Sequence, residues 1–258
     1  MIDDRGFQHA MESLRRADSP RASLCDPFVS ALPISGAAIS LLSTGFGTET
    51  VCASDRQAAR LDELQIDYGI GPCWDAMAQN RPVSQPDLRS APASLWPPLL
   101  HEIRDDGVRA LYAFPLSIGA LDLGAVDLYS LHPGELTRTE VHRAEALASE
   151  AARQVLRRVV DRESAAQRDD DDPEVGDGGA QEKQILHLEL AAESGFSRRE
   201  VHQATGMVLA QMNVSAEDAL LVLRGHAYAE GRPLREIARD VVERRLSFGP
   251  PPTHRGLD

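Results

Sequence analysis

Three amphipathic helices near the C-terminus, joined by two short turns, constrain this chain more than any other feature. Apolar residues recur in each helix at the spacing that places them on one face. They are Val201, Ala204, Val208, Leu209 and Met212 in the first helix, Ala219, Leu220, Leu223, Ala227 and Tyr228 in the second, and Leu234, Ile237, Ala238, Val241 and Val242 in the third. Ser215 with Asp218 approximates a capping box, Gly231 suits a helix end and Pro233 suits a first helical turn. The pattern predicts an all-α three-helix module with a narrow core.

The order of residues in this module resembles the ANTAR family of RNA-binding transcription antiterminators. The resemblance covers residues 185–246. It is carried by Arg199, Gln203, Ala204, Thr205, Gly206, Met207, Val208, Leu209, Ser215, Ala219, Leu223, Arg224, Ala227, Leu234, Ile237, Ala238, Val241 and Val242. Many members have lysine at the position of Thr205, so a charged contact is not expected there. The resemblance implies a homodimer that binds two adjacent hairpin loops of structured RNA and holds an antiterminator.

Basic, amide and aromatic side chains of the module are the candidate RNA-binding residues. Proteins read RNA chiefly in loops, where unstacked bases lie on aromatic or guanidinium faces. Arginine supplies phosphate contacts and stacking, Gln203 can pair with a base edge, and Tyr228 offers a ring and a hydroxyl. The predicted set is Arg198, Arg199, Gln203, Thr205, Arg224, Tyr228, Arg232, Arg235 and Arg239. The alternative interpretation is a solvated helix surface of mixed charge, as any small bundle shows.

The charge of the chain argues against indiscriminate coating of nucleic acid. The 258 residues carry a formal charge of −13, whereas non-specific affinity comes from neutralising phosphates. Residues 181–258 hold ten Lys or Arg and eleven Asp or Glu, so the excess negative charge lies upstream of the helical module. The expected nucleic-acid partner is structured RNA, and no DNA partner is expected.

The three cysteines predict neither a disulfide framework nor a zinc site. Cys25, Cys52 and Cys73 are isolated, without a CxxC pair or a histidine at metal-binding spacing. We expect free buried thiols in a reducing compartment. The N-terminus lacks a basic segment followed by an apolar run, and no apolar stretch is long enough to span a bilayer. These features predict a cytoplasmic protein without a membrane partner.

The N-terminal part of the chain predicts an α+β domain around an antiparallel sheet. Predicted helices cover 6–17, 21–32, 55–66, 94–107 and 137–162, and predicted strands cover 36–43, 49–54, 110–117 and 121–128. Pro115 has no amide hydrogen to donate, which indicates a strand edge, a bulge or a strand end. Thr137 and Glu140 form a capping box at the start of the last helix.

This order of elements resembles the GAF fold, and in particular the GAF domain that precedes ANTAR in actinobacterial regulators. The resemblance covers 26–156 and is carried by Gly69, Gly71, Pro72, Cys73, Asp75, Ala76, Pro82, Val83, Pro115 and Leu116. It implies a sensor domain for an unidentified small-molecule signal. Ligand sites are concave and mostly apolar, which makes Cys73, Trp74, Met77, Trp96, Tyr112 and Phe114 the candidate pocket residues. The alternative is that these side chains fill the core.

An enzymatic role is not expected. Some GAF proteins resemble methionine sulfoxide reductases, in which a reactive and a resolving cysteine cooperate. No cysteine follows Cys73, and the chain has no nucleotide-binding glycine loop and no hydrolytic triad motif. We therefore predict neither catalysis nor a cofactor.

An acidic, glycine-rich segment at 168–179 separates the two parts of the chain and has almost nothing to bury. We predict a GAF-like sensor domain at 1–162, an acidic flexible linker at 163–180, an ANTAR RNA-binding domain at 181–248 and a disordered tail at 249–258. A linker that competed with phosphate for the arginines would be autoinhibitory. The alternative is a soluble spacer.

A dimer is expected because it makes the second RNA contact intramolecular and so raises avidity. The last helix of the sensor domain is the predicted dimer seam. The seam residues are Val141, Ala144, Leu147, Ala148, Ala151, Val155 and Val159. The same face would equally cover the GAF sheet. The sequence thus predicts a signal-responsive, RNA-binding antitermination regulator. The alternative is a ligand-sensing dimerisation protein whose helical module binds a protein partner.

Overall fold

The structure is a computed structural model that describes residues 4–17, 19, 22–43, 47–170 and 198–248. The chain divides into two units, Met1–Phe196 and Ser197–Asp258. The predicted linker from residue 171 onward and the predicted tail at 249–258 lie outside the described residues. Within the described ranges no single helix has the length and apolarity to cross a membrane. Two consecutive helices pass this test of length and composition only when they are taken together, and a bend of 106° lies between them. They are Glu200–Met212 and Ala216–Glu230.

Helices flank a sheet in the N-terminal unit. The helices are α1 (Asp4–Arg15), α2 (Asp26–Ala31), α3 (Arg56–Tyr68), α4 (Pro72–Gln79), α5 (Pro97–Glu102) and α6 (Arg138–Asp170), with a 3-10 turn at Leu88–Ser90. The strands are β1 (Gly36–Ser43), β2 (Gly47–Ala53), β3 (Val83–Gln85), β4 (Ala110–Ile118) and β5 (Leu121–Ser130). The predicted α+β class is confirmed.

The sheet is antiparallel and has the order β2-β1-β5-β4-β3. Strands β1 and β5 approach each other closely at Gly124, where an added Cβ would lie 1.8 Å from the backbone oxygen of Ser40. Pro115 lies in the part of β4 beyond the pairing with β3, which ends at Ala113. The β4–β5 register shifts between Leu116 and Ser117. Pro115 is therefore paired on one side only, with Ala125 of β5, which confirms the edge alternative.

Alternation of side chains along the strands divides the core into two layers. On one face, Ile39, Phe114 and Val126 pack against α1, α2 and α6. On the other face, a first cluster joins Ala38, Leu111 and Tyr129 to α3 and α5, and a second joins Leu42 and Ala125 to α3 and α4. We call the two faces the α6 face and the α3–α4 face.

Four elements differ most from the sequence prediction. Helix α5 covers only Pro97–Glu102 instead of 94–107, because two prolines at its start suit only the first turn of a helix. Helix α4 and the short strand β3 were not predicted. Helix α6 continues to Asp170, beyond the predicted end at 162, because no Gly or Pro occurs between 138 and 170. Residues 163–170 of the predicted linker are therefore helical.

Helix α6 starts at the predicted capping box. The Thr137 amide donates to Glu140 Oε2 at 2.7 Å, and the Glu140 amide donates to Thr137 Oγ1 at 3.3 Å. The face predicted as a dimer seam is packed inside the N-terminal unit. Its members Ala144, Leu147, Ala148, Ala151, Val155 and Val159 are at most 8% exposed. The seam assignment is corrected: these side chains cover the sheet and are not available to a second chain.

Cys25 and Cys52 form a disulfide, which corrects the prediction of free thiols at these positions. Cys25 directly precedes α2 and Cys52 lies on β2. Helix α2 packs against β1, the hairpin partner of β2, so the fold brings together two cysteines that are 27 residues apart. Motif spacing reports local ligand sets and carries no signal for such a tertiary contact. Cys73 is a free, buried thiol, as predicted.

The C-terminal unit contains α7 (Arg199–Met212), α8 (Ala216–Glu230) and α9 (Leu234–Val242). The Asp218 amide donates to Ser215 Oγ at 3.1 Å, and Gly231 ends α8 with a φ of 61°. The fully packed core is Val201, Ala204, Val208, Ala219, Leu223, Ala227, Leu234, Ile237, Ala238 and Val241. The predicted three-helix module is confirmed. Met212 and Tyr228, which the periodicity placed with the core, are instead 39% and 63% exposed, because this core buries only a narrow stripe of each helix.

Candidate functional site

The connection from α3 to α4 is built around the Gln65 side chain. Gly69 ends α3 in the left-handed region, with a φ of 67°. At Gly71, φ is 135° and an added Cβ would lie 2.5 Å from Gln65 Oε1. The same Oε1 accepts the Cys73 amide at 3.0 Å in the first turn of α4. The glycines that carried the GAF resemblance thus form a tight joint between two helices.

The two tryptophans fasten α4 to its neighbours. Trp74 Nε1 donates to the backbone oxygen of Gln65 at 2.8 Å, near the end of α3. Trp96 Nε1 donates to Asp75 Oδ2 at 2.8 Å, which connects α4 to the start of α5. Buried indole groups need such partners for their N–H. Both rings therefore have a positioning role in the layer that covers the α3–α4 face.

Two acids are buried on the α3–α4 face and differ in their partners. Asp62 is 0% exposed and accepts hydrogen bonds from Ser40 Oγ and Thr50 Oγ1. Asp127 is 7% exposed, and neither of its carboxylate oxygens has a hydrogen-bond partner among the described residues. A buried, unsatisfied carboxylate is costly in its charged form. Asp127 therefore favours its protonated, neutral form.

Burial raises the pKa of Asp127 well above its usual range, and the nearby charge of Asp62 adds to this. The side-chain amide of Gln65 lowers the pKa of Asp127, but this effect is smaller than those of burial and of Asp62. The amide lies outside hydrogen-bond geometry. Burial likewise raises the pKa of the Cys73 thiol, with further contributions from Asp127 and then Asp62. The thiolate is the reactive form of cysteine. Cys73 therefore stays protonated in this layer.

The six predicted pocket residues do not come together. Cys73, Trp74 and Met77 pack in the α4 cluster and Trp96 in the neighbouring α5 cluster. Tyr112 and Phe114 lie on the α6 face instead, because residues of one parity along β4 share a face. The four residues Cys73, Trp96, Tyr112 and Phe114 are at most 7% exposed. Their positions are those of core side chains.

Helix α8 exposes a face on the C-terminal unit. Tyr228 and Leu221 are 63% and 65% exposed. Arg224 is half-buried and lies one turn before Tyr228, so the three side chains share one side of the helix. We call Leu221, Arg224 and Tyr228 the α8 face. It combines a guanidinium group with an aromatic ring, the two groups on which unpaired bases stack.

Arg232 is engaged by three carboxylates within its own unit. It contacts Glu230 at 3.1 Å, Glu236 at 3.3 Å and Asp240 at 2.7 Å. The hydrogen bonds from Arg232 and then Arg245 lower the pKa of Asp240. The sequence pattern gave no indication of this network, which binds the α8–α9 connection to α9.

The remaining predicted RNA-binding residues lie on α7 and α9. Gln203 is exposed on α7, whereas Thr205 donates its hydroxyl hydrogen to the backbone oxygen of Val201 at 2.7 Å. Arg239 is exposed on α9 and Arg235, one turn earlier, is half-buried. Arg198, before α7, is 5% exposed. The side chain of Arg199 lies outside the described part of the chain.

A shallow groove of about 370 Å³ lies on the same unit, between α7 and the segment that follows α9. It is lined by Met207, Ala210, Gln211, Arg244, Leu246 and Ser247. In neither unit do the described residues place three or more His, Cys, Asp or Glu side chains so that they could hold a metal ion.

Comparisons with known proteins agree with the division of the chain into two units. A GAF domain model matches residues 23–155 and an ANTAR domain model matches residues 193–242. Comparison with curated proteins gave no match.

Solved structures similar to the N-terminal part include GAF domains of two phosphoenolpyruvate-protein phosphotransferases. The one from Coxiella burnetii has 14% identity and a TM-score of 0.49 over 59% of this chain and 92% of its own. The one from Acinetobacter has 10% identity and a TM-score of 0.44 over 57% and 89%. A type II free methionine-R-sulfoxide reductase from Thermoplasma acidophilum has 15% identity and a TM-score of 0.42 over 58% and 94%. These similarities carry no statement about function.

A helix-flanked antiparallel sheet and a three-helix unit define a protein with one α+β domain and one small all-α domain. The chain belongs to the GAF domain family, whose model matches just over half of its 258 residues, and an ANTAR domain follows. This combination of domains is regulatory in type.

Proposed function

We propose that this protein is a signal-responsive, RNA-binding regulator of transcription antitermination. In this proposal a homodimer presents two ANTAR domains to paired hairpin loops of RNA, and the GAF domain controls that presentation. The proposal includes a cytoplasmic location, an actinobacterial origin and a role without catalysis. It keeps the sensor and RNA-binding segments expected from the sequence, and the linker between them follows the end of α6 at Asp170.

The observation that carries the proposal is the α8 face within the ANTAR match. Tyr228 has most of its side chain in solvent, and Arg224 lies one turn away. Base–aromatic stacking contributes about 1–3 kcal/mol per base, and arginine adds phosphate contacts. Gln203 and Arg239 are exposed on the adjacent helices. Arg232 has a different role, because three carboxylates already hold it.

Control by the GAF domain requires a signal that binds two states of the protein with different affinity. The proposed signal site is on the α3–α4 face, near Cys73, Trp74, Met77 and Trp96. The buried, unpartnered Asp127 supports this location, because it gives the layer a polar group that the rest of the core does not satisfy. The signal would shift the population of dimers competent to hold both loops.

The test is a mobility shift of the full-length protein with a synthetic two-hairpin RNA, its single-hairpin halves and a DNA duplex, at two salt concentrations. We expect tight binding only when both loops are present. Arg239→Ala should reduce the slope of log K against log salt by about 0.7, the value for one phosphate contact on a single strand. Arg232→Ala, the matched control, should leave the slope unchanged. Absence of binding to the two-hairpin RNA at both salt concentrations would overturn the proposal.

The second candidate function is binding of a protein partner through the helical module. The observation that favours it is Leu221, an aliphatic side chain that is 65% exposed on the same face of α8 as Tyr228. Binding of a protein that is insensitive to salt and is lost in Leu221→Ala, without any affinity for RNA, would establish this alternative.

A further inference from the structure

The disulfide joins an edge strand to the corner that leads into α2. Cys52 is half-buried on β2, which is at the edge of the sheet, and Cys25 is 0% exposed at the start of α2. Both residues pack into the core of the α6 face. The bond therefore links the outermost strand to the helical layer that contains α6.

Arg158 of α6 holds the other side of the same corner. Its Nη2 donates to the backbone oxygens of Ala17, Ser19 and Ala22 at 3.4, 3.0 and 2.8 Å. These carbonyl groups follow α1 and precede Cys25. Hydrogen bonds from a charged donor contribute more than neutral ones. The entry to α2 is thus fixed covalently to β2 and by hydrogen bonds to α6.

We propose that the Cys25–Cys52 disulfide is a redox-controlled clasp, through which a dithiol or disulfide in the surroundings sets how firmly α6 is held to the sensor domain. The clasp consists of the disulfide, the α1–α2 corner and Arg158. Helix α6 is the last described element before the ANTAR domain, so a change in its packing lies on the path of the chain from sensor to output. The link from clasp to RNA rests on the proposed function, whereas the clasp itself does not.

Reduction of the clasp is a balanced thiol–disulfide exchange. A thiolate of the dithiol attacks Sγ of Cys52, the half-buried partner, and the S–S bond breaks to release the Cys25 thiolate, which takes up a proton. The second thiolate of the dithiol then attacks the other sulfur of the same dithiol, which is bonded to Cys52 in the mixed disulfide. This step closes the disulfide of the reductant and releases the Cys52 thiolate, which takes up a proton. Two electrons pass to the protein, and the reductant leaves as a disulfide. Oxidation runs through the same steps in reverse.

The expected effect of reduction is large on the scale of one domain. A disulfide that closes a loop of this length changes an unfolding equilibrium by roughly 400-fold in the chain-entropy estimate. The loss should concentrate where the bond acts, since local opening is governed by local contacts. In a reducing compartment, moreover, a disulfide that forms is typically a transient, redox-sensing one. Cys73 does not compete in this chemistry, because it is buried and protonated.

Hydrogen–deuterium exchange of the full-length protein tests the clasp, with diamide-oxidised and dithiothreitol-reduced samples compared. Titration of thiols after denaturation should give one thiol in the oxidised protein and three in the reduced protein. Reduction should speed exchange at least about tenfold in α2, in β2 and in the turns of α6 around Arg158. Helix α4, which packs against β4 and β5, should change by less than about twofold. Three thiols in both samples, or unchanged exchange in α6, would overturn the clasp.

Two variants separate the bond from general effects of the reagents. Cys52→Ala should exchange like the reduced protein with or without dithiothreitol, and Cys73→Ala should keep the wild-type response. If Cys52→Ala fails to fold, the comparison of the two wild-type samples still decides. RNA binding is measured on those same two samples. A redox response of α6 without RNA binding in either sample overturns the proposed function and supports the clasp.

Discussion

Asp62 of α3 and Asp127 of β5 are buried on the same face of the sheet, yet only Asp62 accepts hydrogen bonds from hydroxyl groups. A protonated Asp127 resembles an asparagine in shape and charge. Replacement of Asp127 by asparagine therefore tests whether this carboxyl group is protonated in the folded protein.

Asp127→Asn should stabilise the sensor domain at high pH. The folded-state pKa of Asp127 is raised above its unfolded value of about 3.9, so its contribution is complete below that value and is lost as pH rises through the folded-state pKa. Each unit of difference corresponds to about 1.4 kcal/mol above the folded-state pKa. Urea unfolding over a pH series measures the effect, with exposed Asp122→Asn on the same strand as control. Parallel pH profiles of wild type and Asp127→Asn would contradict the prediction.

Gly124→Ala should disrupt the sheet at its centre. The added methyl would meet the Ser40 carbonyl at 1.8 Å, and two paired strands cannot separate without loss of hydrogen bonds. We expect a loss of about 3 kcal/mol or more in the free energy of unfolding. Gly134→Ala is the matched control, since nothing lies within 4 Å of its added Cβ. Equal unfolding midpoints of the two variants would refute this account of the strand contact.

Arg158→Ala should loosen the α1–α2 corner while the disulfide remains intact. The guanidinium group supplies hydrogen bonds to three backbone oxygens, and loss of charged hydrogen bonds costs about 1.5–3 kcal/mol. Hydrogen exchange of residues 22–32 in the oxidised protein is the measurement. Arg138→Ala, an exposed arginine at the start of the same helix, should leave that exchange unchanged. Similar exchange in both variants would remove Arg158 from the clasp.

Tyr228→Ala should weaken binding of the two-hairpin RNA without destabilising the protein. Loss of one stacked base costs about 1–3 kcal/mol, or roughly 5- to 150-fold in affinity. Because the side chain is 63% exposed, the free energy of unfolding should change by less than about 0.5 kcal/mol. Tyr228→Phe keeps the ring and should retain most of the affinity. An equal loss in Tyr228→Phe and Tyr228→Ala would assign the contact to the hydroxyl group and not to stacking.

Local signals in the sequence predicted much of the fold. Strand β1 begins and ends where the apolar run 36–43 does, and the capping box at Thr137 and the N-cap at Ser215 form. These features are determined by neighbouring residues, so periodicity and side-chain chemistry suffice. Helix α4 escaped prediction because its eight residues are too few for a helical period to stand out.

Features that depend on the packing of distant elements could not be predicted in the same way. The Cys25–Cys52 bond needs α2 placed beside the β1–β2 hairpin. Tyr112 and Leu111 are neighbours along β4, so their side chains lie on opposite faces of the sheet. The sequence does not say which of the two faces packs against α4. The acid pair likewise arises only when β5 and α3 meet. Arg232 appeared as a surface arginine in the sequence, and only its three carboxylate partners reveal a structural role.

Helix α6 has 33 residues, which corresponds to a rod about 50 Å long. Among the side chains that the structure describes, the buried ones on this helix extend from Ala144 to Val159, and the helical backbone continues to Asp170. A tilt of about 5° around the capped end moves the far end by about 4 Å. Any change in the tilt of the rod about its capped end is therefore largest where the chain leaves the helix.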